Sequence, residues 1–149
     1  MLVKEVMTGK VRTISPNASY SEILKILIDH HISGLPVVNK KGKVVGIVSE
    51  KDLFRKLFPS EKIFYKDPEY YMNFDRIEKD SKSVKKVKAS HIMSREIISI
   101  GSDEHVLKAC SLFIKYKVRR LPVIDNGKLV GIISTNNIYK HFLARVVGI

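Results

Sequence analysis

The stretch from Leu35 to Ser49 returns, almost residue for residue, from Leu121 to Ser134. The first copy runs Leu35-Pro36-Val37-Val38, then Asn39 to Lys43, then Val44-Val45-Gly46-Ile47-Val48-Ser49. The second runs Leu121-Pro122-Val123-Ile124, then a turn one residue shorter, then Leu129-Val130-Gly131-Ile132-Ile133-Ser134. A short polar residue follows each serine by one helical turn, Asp52 in the first copy and Asn137 in the second. A repeat on this scale decides the architecture before any single residue is weighed. One such unit is too short to bury enough apolar surface by itself, whereas two packed face to face can. Two similar units packed in this way also create a cleft, and that is where a ligand is expected.

The match extends upstream. Met7-Thr8 aligns with Met93-Ser94, Thr13-Ile14 with Ser99-Ile100, Asn17 with Asp103, and Ile28 with Ile114. The expected organisation is a first unit over 3–58, a second over 88–147, and between them an inserted, partly helical linker over 59–87. Each unit reads as β-α-β-β-α, an α/β (α+β) arrangement. Val11 to Ile14 and Ile97 to Ile100 are short β-rich stretches. Asn17 and Asp103 are expected N-caps for the helices that follow. Tyr20, Ile23, Leu24, Leu27 and Ile28 keep helical spacing, as do Val106, Ala109, Cys110, Phe113 and Ile114. Lys40-Lys41-Gly42 and Asn126-Gly127 are hairpin turns, the second being the stronger signal. Val44 to Val48 and Leu129 to Ile133 are return strands, apolar enough to be buried on both faces. A second helix starts near Ser49 and near Ser134, and the β-α-β part crosses over right-handed.

Composition narrows the class. The chain has 149 residues and a formal net charge of +12. No apolar run reaches the roughly 18 residues of a membrane span, and the start lacks the hydrophobic region of a signal peptide. The single cysteine excludes an intrachain disulfide and suits a reducing, cytoplasmic setting. Cys110, on the apolar helix face, reads as a small core residue rather than a reactive thiol. The positive charge is either a solvated lysine-rich surface or a sign of affinity for phosphorylated ligands or nucleic acid. No basic run is interleaved with aromatics as base stacking would need, and Lys85-Lys86-Val87-Lys88 is short.

The doubled pattern of Leu-Pro-Val-(Val/Ile), Gly-Lys-apolar-Val-Gly-Ile-apolar-Ser and a closing Ser-x-x-(Asp/Asn)-(Leu/Ile) resembles a pair of cystathionine-β-synthase (CBS) domains, often called a Bateman module. The resemblance covers nearly the whole chain apart from the central segment. It implies two CBS units packed with pseudo-two-fold symmetry. It also implies a regulatory, non-enzymatic sensor that binds AMP, ADP, ATP, S-adenosylmethionine or NAD in the clefts and acts through a ligand-induced change in packing. Nothing else is attached in this sequence, as in the stand-alone members. Such members commonly pair as homodimers through helices, here those carrying Leu53, Phe54, Leu57 and Phe58, and Ile138, Tyr139 and Phe142. An unidentified protein partner would read the change.

The residues themselves allow this chemistry. Ser49 ends a strand and opens a helix, whose free N–H groups favour an anion. The carboxylate of Asp52 can accept from two vicinal hydroxyls, as in ribose, yet Ser-x-x-Asp is also close to a capping box, and the two roles are compatible. Asn137 offers one acceptor oxygen beside Ser134, so the second site is expected to be weaker, selective for another ligand, or empty. Arg119 and Arg120 stand where the first copy has Ser33 and Gly34, either as surface charge or as a phosphate clamp. Gly34 leaves room for a base or ribose. By resemblance, adenine would be read by Thr13-Ile14-Ser15 and Ser99-Ile100-Gly101, and by the strands at Leu35-Pro36 and Leu121-Pro122. The two prolines also suit a plain strand start.

The central segment is aromatic-rich over 63–74 and polar over 78–86. It reads as short helices packed on the module or as a partner surface, followed by a flexible or exposed stretch. The five histidines show no metal-ligand spacing. No Walker-type loop, GxGxxG run or nucleophile–base pair is present. The alternatives to the sensor are a basic nucleic-acid-binding protein and a ligand-free dimerisation scaffold.

Overall fold

The computed structural model describes the whole chain, Met1 to Ile149. In order, it forms α1 (Val3–Val6), α2 (Tyr20–His30), β1 (Gly34–Val38), β2 (Val44–Ser49), α3 (Glu50–Leu57), α4 (Glu61–Lys66), α5 (Pro68–Met72) and α6 (Phe74–Asp80). A 3-10 helix (Ser81–Lys86), α7 (Ala89–Ile92), α8 (Val106–Tyr116), β3 (Arg120–Asp125), β4 (Lys128–Ser134) and α9 (Thr135–Asn137) follow. A π-helical stretch (Ile138–Leu143) and α10 (Ala144–Val147) complete the chain. The class is mixed helix and strand, with two small two-stranded sheets, β1-β2 and β3-β4. No helix is long and apolar enough to cross a membrane.

The chain divides into two compact units. One, the first-copy unit, contains 13–39 and 45–95; the other, the second-copy unit, contains 1–12, 40–44 and 96–149. In the second-copy unit β3 and β4 run antiparallel, with Leu121 opposite Ile133 and Val123 opposite Gly131, and a register shift after Val123. The hairpin turn between them places Asn126 at φ 50° and Gly127 at φ 78°, the left-handed pair that a type I′ turn needs.

The β-rich stretches ahead of the helices shrink to one residue each. Ile14 makes a parallel bridge to Val37 and Ile100 one to Val123. Ile14 N–H donates to Pro36 O at 3.1 Å, and Val38 N–H to Ile14 O at 2.8 Å. After Ile14 the ladder meets Pro16, which has no N–H to offer. After Ile100 it meets Ser102, whose N–H is taken by Asp125 Oδ1 at 2.9 Å.

The helix caps lie two residues beyond their expected places. Ser19, not Asn17, caps α2: its Oγ accepts from Glu22 N–H at 3.1 Å, and Glu22 accepts from Ser19 N–H at 2.8 Å, a closed capping box. His105, not Asp103, caps α8, its Nδ1 accepting from Leu107 N–H at 3.2 Å. Asp103 is drawn away by Lys4, 2.6 Å from it. The return strands are also not buried on both faces. In β2, Val44, Gly46 and Val48 are buried while Val45 and Ile47 are half-buried, because a two-stranded sheet is covered on one side. The helices bury a narrower stripe than their spacing suggested: Tyr20, Ile23 and Leu27 are inside, whereas Ile28 and Ile114 are 60% and 79% exposed. Cys110 packs at the edge of the second-copy core, where burial pushes its thiol pKa up.

Each core is completed by a segment from outside its own repeat. Val3 and Val6 open the first copy, yet they belong to the second-copy core with Ile100, Val106, Ala109, Phe113, Leu121, Val123 and Ile133. Val87 and Ala89, at the start of the second copy, belong to the first-copy core with Ile14, Ile23, Leu27, Leu35, Val37 and Val48. The backbone repeats the exchange: Thr8 pairs with Ile132, and Ser94 with Ile47. The cores also trade volume, with Ile23 and Leu27 in one matched by Ala109 and Phe113 in the other.

One polar bond is buried in this packing. Tyr20 O–H donates to Leu53 O at 2.9 Å and ties α2 to α3, whereas Val106 fills the matching place without a hydroxyl. Tyr20→Phe removes that bond and is expected to cost about 0.5–1.5 kcal/mol. A urea titration measures it; an unchanged midpoint would show that the bond contributes nothing to stability.

Candidate functional site

In the first-copy unit, three backbone segments meet at the start of α3. Ser49 ends β2, and Glu50 N–H donates to Ser33 O at 3.0 Å, which fixes the helix start beside the beginning of β1. Ile14 lies along the same strand through its bonds with Pro36 and Val38. Thr13, Ser15, Gly34, Leu35, Pro36, Ser49 and Asp52 are therefore drawn into one unit. The second-copy unit repeats the construction. Thr135 N–H donates to Arg119 O at 3.0 Å, and Ile100 N–H to Pro122 O at 3.2 Å, which gathers Ser99, Ile100, Arg119, Arg120, Leu121, Pro122, Ser134 and Asn137.

Burial separates these residues into two groups. Leu35 and Leu121 are fully buried, as are the prolines Pro36 and Pro122, and Ile14 and Ile100 are nearly so. Their side chains fill the cores, so only their backbone can meet a ligand. Thr13, Ser15, Ser99 and Arg119 are exposed, and Ser49, Asp52, Arg120, Ser134 and Asn137 are half-buried. Gly34 is buried at the head of β1.

The two caps show what the change from acid to amide does. Asp52 Oδ2 accepts from Ser49 N–H at 2.8 Å and from Ser49 Oγ at 3.2 Å, leaving Oδ1 with no donor from the protein. Asn137 Oδ1 takes the same place, accepting from Ser134 N–H and Ser134 Oγ, both at 2.8 Å. The cap is thus preserved. The atom left over differs: an anionic acceptor in the first copy, and in the second an NH₂ donor that reaches Thr8 Oγ1 at 3.5 Å. Thr8 was not singled out from the sequence as a site residue. Its alignment with Ser94, another short hydroxyl, was the available signal.

Around the second site, Asp125 Oδ1 holds the loop after Ile100. Hydrogen bonds from the Ser102 side chain and backbone keep the Asp125 carboxyl below its usual range. No group of three or more His, Cys, Asp or Glu is placed to hold a metal ion.

Comparison with known proteins places this construction. The chain is 29% identical to the uncharacterised protein MJ1426 of Methanocaldococcus jannaschii, over 93% of this chain and 89% of that one. It is 31% identical to MK0525 of Methanopyrus kandleri over 91% of this chain, but spans only 60% of that longer protein. Among solved structures, the CBS domain pair of protein MJ0100, in complex with 5-methylthioadenosine and S-adenosylmethionine, superposes with a TM-score of 0.75 at 27% identity, covering 97% of this chain and 98% of that one. CBSX2 from Arabidopsis thaliana shares the fold with a TM-score of 0.77 at 24% identity, covering 98% and 96%. The family profile described as CBS domain matches residues 3–59 and again 89–144, so the chain, with its twice-built cap and strand, belongs to the CBS domain family as a tandem pair.

Proposed function

We propose that this tandem pair is a regulatory, non-catalytic module that binds an adenosyl ligand, of the AMP, ADP, ATP or S-adenosylmethionine type. The observation that carries the reading is the free Oδ1 of Asp52, an acceptor for ribose hydroxyls held in place by a cap that uses only Oδ2. The N–H groups at the start of α3 favour the ligand's anionic part. Thr13, Ser15 and the backbone at Gly34 to Pro36 supply polar groups for the base, and Arg119 and Arg120 are the phosphate-binding candidates of the other unit. The ligands of MJ0100 support the adenosyl class. Regulation follows if the ligand favours one arrangement of the chain over another and a partner protein reads the difference. Exposed Phe54, Phe58, Tyr139 and Leu143 offer apolar surface for a homodimer.

Asn137 supplies the control for the test, because an amide at this position keeps the cap. Asp52→Asn is therefore expected to leave thermal stability unchanged and to weaken binding about 10- to 100-fold, the worth of a hydrogen bond to a charged group. Isothermal titration with AMP, ATP, S-adenosylmethionine and NAD measures it. No heat with any of the four, or wild-type affinity in Asp52→Asn, would sink the reading.

A further inference from the structure

We infer that the segment 79–88 presents a lysine strip that docks the phosphate backbone of single-stranded nucleic acid, separately from any nucleotide site. The argument starts from the 3-10 helix Ser81–Lys86, an unusually long run for this conformation. With three residues per turn, residues three apart eclipse one another. Val84 packs on the first-copy core and Val87 is buried within it, so the face containing 81, 84 and 87 points inward. One position further on, Lys82 and Lys85 form the next face of the 3-10 helix, and Lys88 follows it in extended backbone; all three are exposed. Lys79, near the end of α6, precedes them by three residues, and Lys86 stands alongside; both are exposed.

At a rise of about 2 Å per residue, Lys82 and Lys85 stand about 6 Å apart along the 3-10 helix. That is the scale of the separation between neighbouring phosphates on an extended single strand. No carboxylate neutralises them: the ion pairs Lys4–Asp103 and Lys108–Glu104 lie elsewhere, and none of the five lysines has a partner. Two acids flank Lys79: Asp80 accepts from Tyr70 O–H at 2.6 Å, and Glu78 makes no ion pair with the strip. The same insert exposes aromatic rings suited to base stacking, Tyr65 at 81% and Phe74 at 64%. An acidic peptide would match the charge, but acidic motifs are typically held by arginine clusters, and the basic residues of 79–88 are all lysines. The net charge of +12 adds long-range attraction for any polyanion.

The test is fluorescence anisotropy of a labelled oligothymidylate across a salt series. The full chain is compared with the Lys79→Gln, Lys82→Gln, Lys85→Gln, Lys88→Gln variant and with a control in which Lys10, Lys25, Lys128 and Lys140 become Gln. Both variants lose the same charge at exposed positions. The strip variant is expected to bind at least tenfold more weakly and to flatten the slope of log affinity against log salt by about 3, since each single-strand phosphate contact contributes about 0.7. The control and Asp52→Asn should keep most of the slope. Equal losses in strip and control variants, no binding by the wild type, or polyglutamate binding that depends on the strip while oligothymidylate binding does not, would each overturn the proposal.

Discussion

Removing residues 1–12 is expected to unfold the second-copy unit, although the deleted residues open the first copy in sequence. Val3 is completely buried and Val6 is 5% exposed, both in the second-copy core. Burying a valine side chain contributes about 1.5–3 kcal/mol, so the pair accounts for roughly 3–6 kcal/mol. The deletion also strands backbone groups that the segment now satisfies. Val3 N–H and Lys4 N–H donate to Glu104 O and Ser102 O, both at 2.9 Å, and Val106 N–H donates to Met1 O at 3.1 Å. Thr8 and Ile132 exchange two further bonds, at 2.9 and 3.0 Å. A domain's whole stability is about 5–15 kcal/mol, so this loss is of decisive size. Hydrogen exchange reads the outcome: amides of β3 and β4 should lose protection, while those of β1 and β2 keep it. Loss confined to β1 and β2, or no loss at all, would refute the assignment of this segment to the second core.

The second large effect is expected at Gly46, where a methyl group has no room. A Cβ there would lie 2.5 Å from Met93 Sδ and 3.0 Å from Ser94 O. The thioether can swing aside. The carbonyl cannot, because it holds Ile47 N–H at 3.0 Å. Gly46→Ala should therefore cost about 1–3 kcal/mol, the usual penalty for overpacking. Gly131 meets Met7 Sδ at 2.5 Å and Thr8 O at 3.0 Å, so Gly131→Ala should behave alike. The diagnostic measurement is the double variant Gly46→Ala, Met93→Ala. Its cost in chemical denaturation should fall short of the sum of the single costs by about 1 kcal/mol, since contacting residues are not additive. Strict additivity would show that the sulfur does not press on the strand.

Much of this fold was legible in the sequence, and the failures have physical causes. The repeat, the hairpins and the helix starts after Ser49 and Ser134 follow from local chemistry, as the left-handed pair Asn126-Gly127 illustrates. Asn17 and Asp103 have the right chemistry for caps, but Ser19 closes a capping box with Glu22 two residues on, and Lys4 holds Asp103. A long-range partner such as Lys4 leaves no mark on a short window. The candidate site was legible as a set of residues, but the division of labour within it was not. Leu35, Pro36, Leu121 and Pro122 give their side chains to the cores, and the acid and amide at 52 and 137 differ in the atom left over rather than in the cap. The period-three lysine face escaped notice because the polar stretch 78–86 reads as exposed chain until its 3-10 conformation is known.

The crossed lead-in segments set the molecularity of assembly. A chain holding a single repeat would carry a segment with no core of its own to enter. Two such chains would have to trade segments, and their stability would then rise and fall with concentration, as in a swapped dimer. Here both repeats lie on one chain, so the trade is intramolecular and its effective concentration is set by the connecting chain. Dilution, which would dissolve the paired single repeats, has no purchase on Val3 or Ala89.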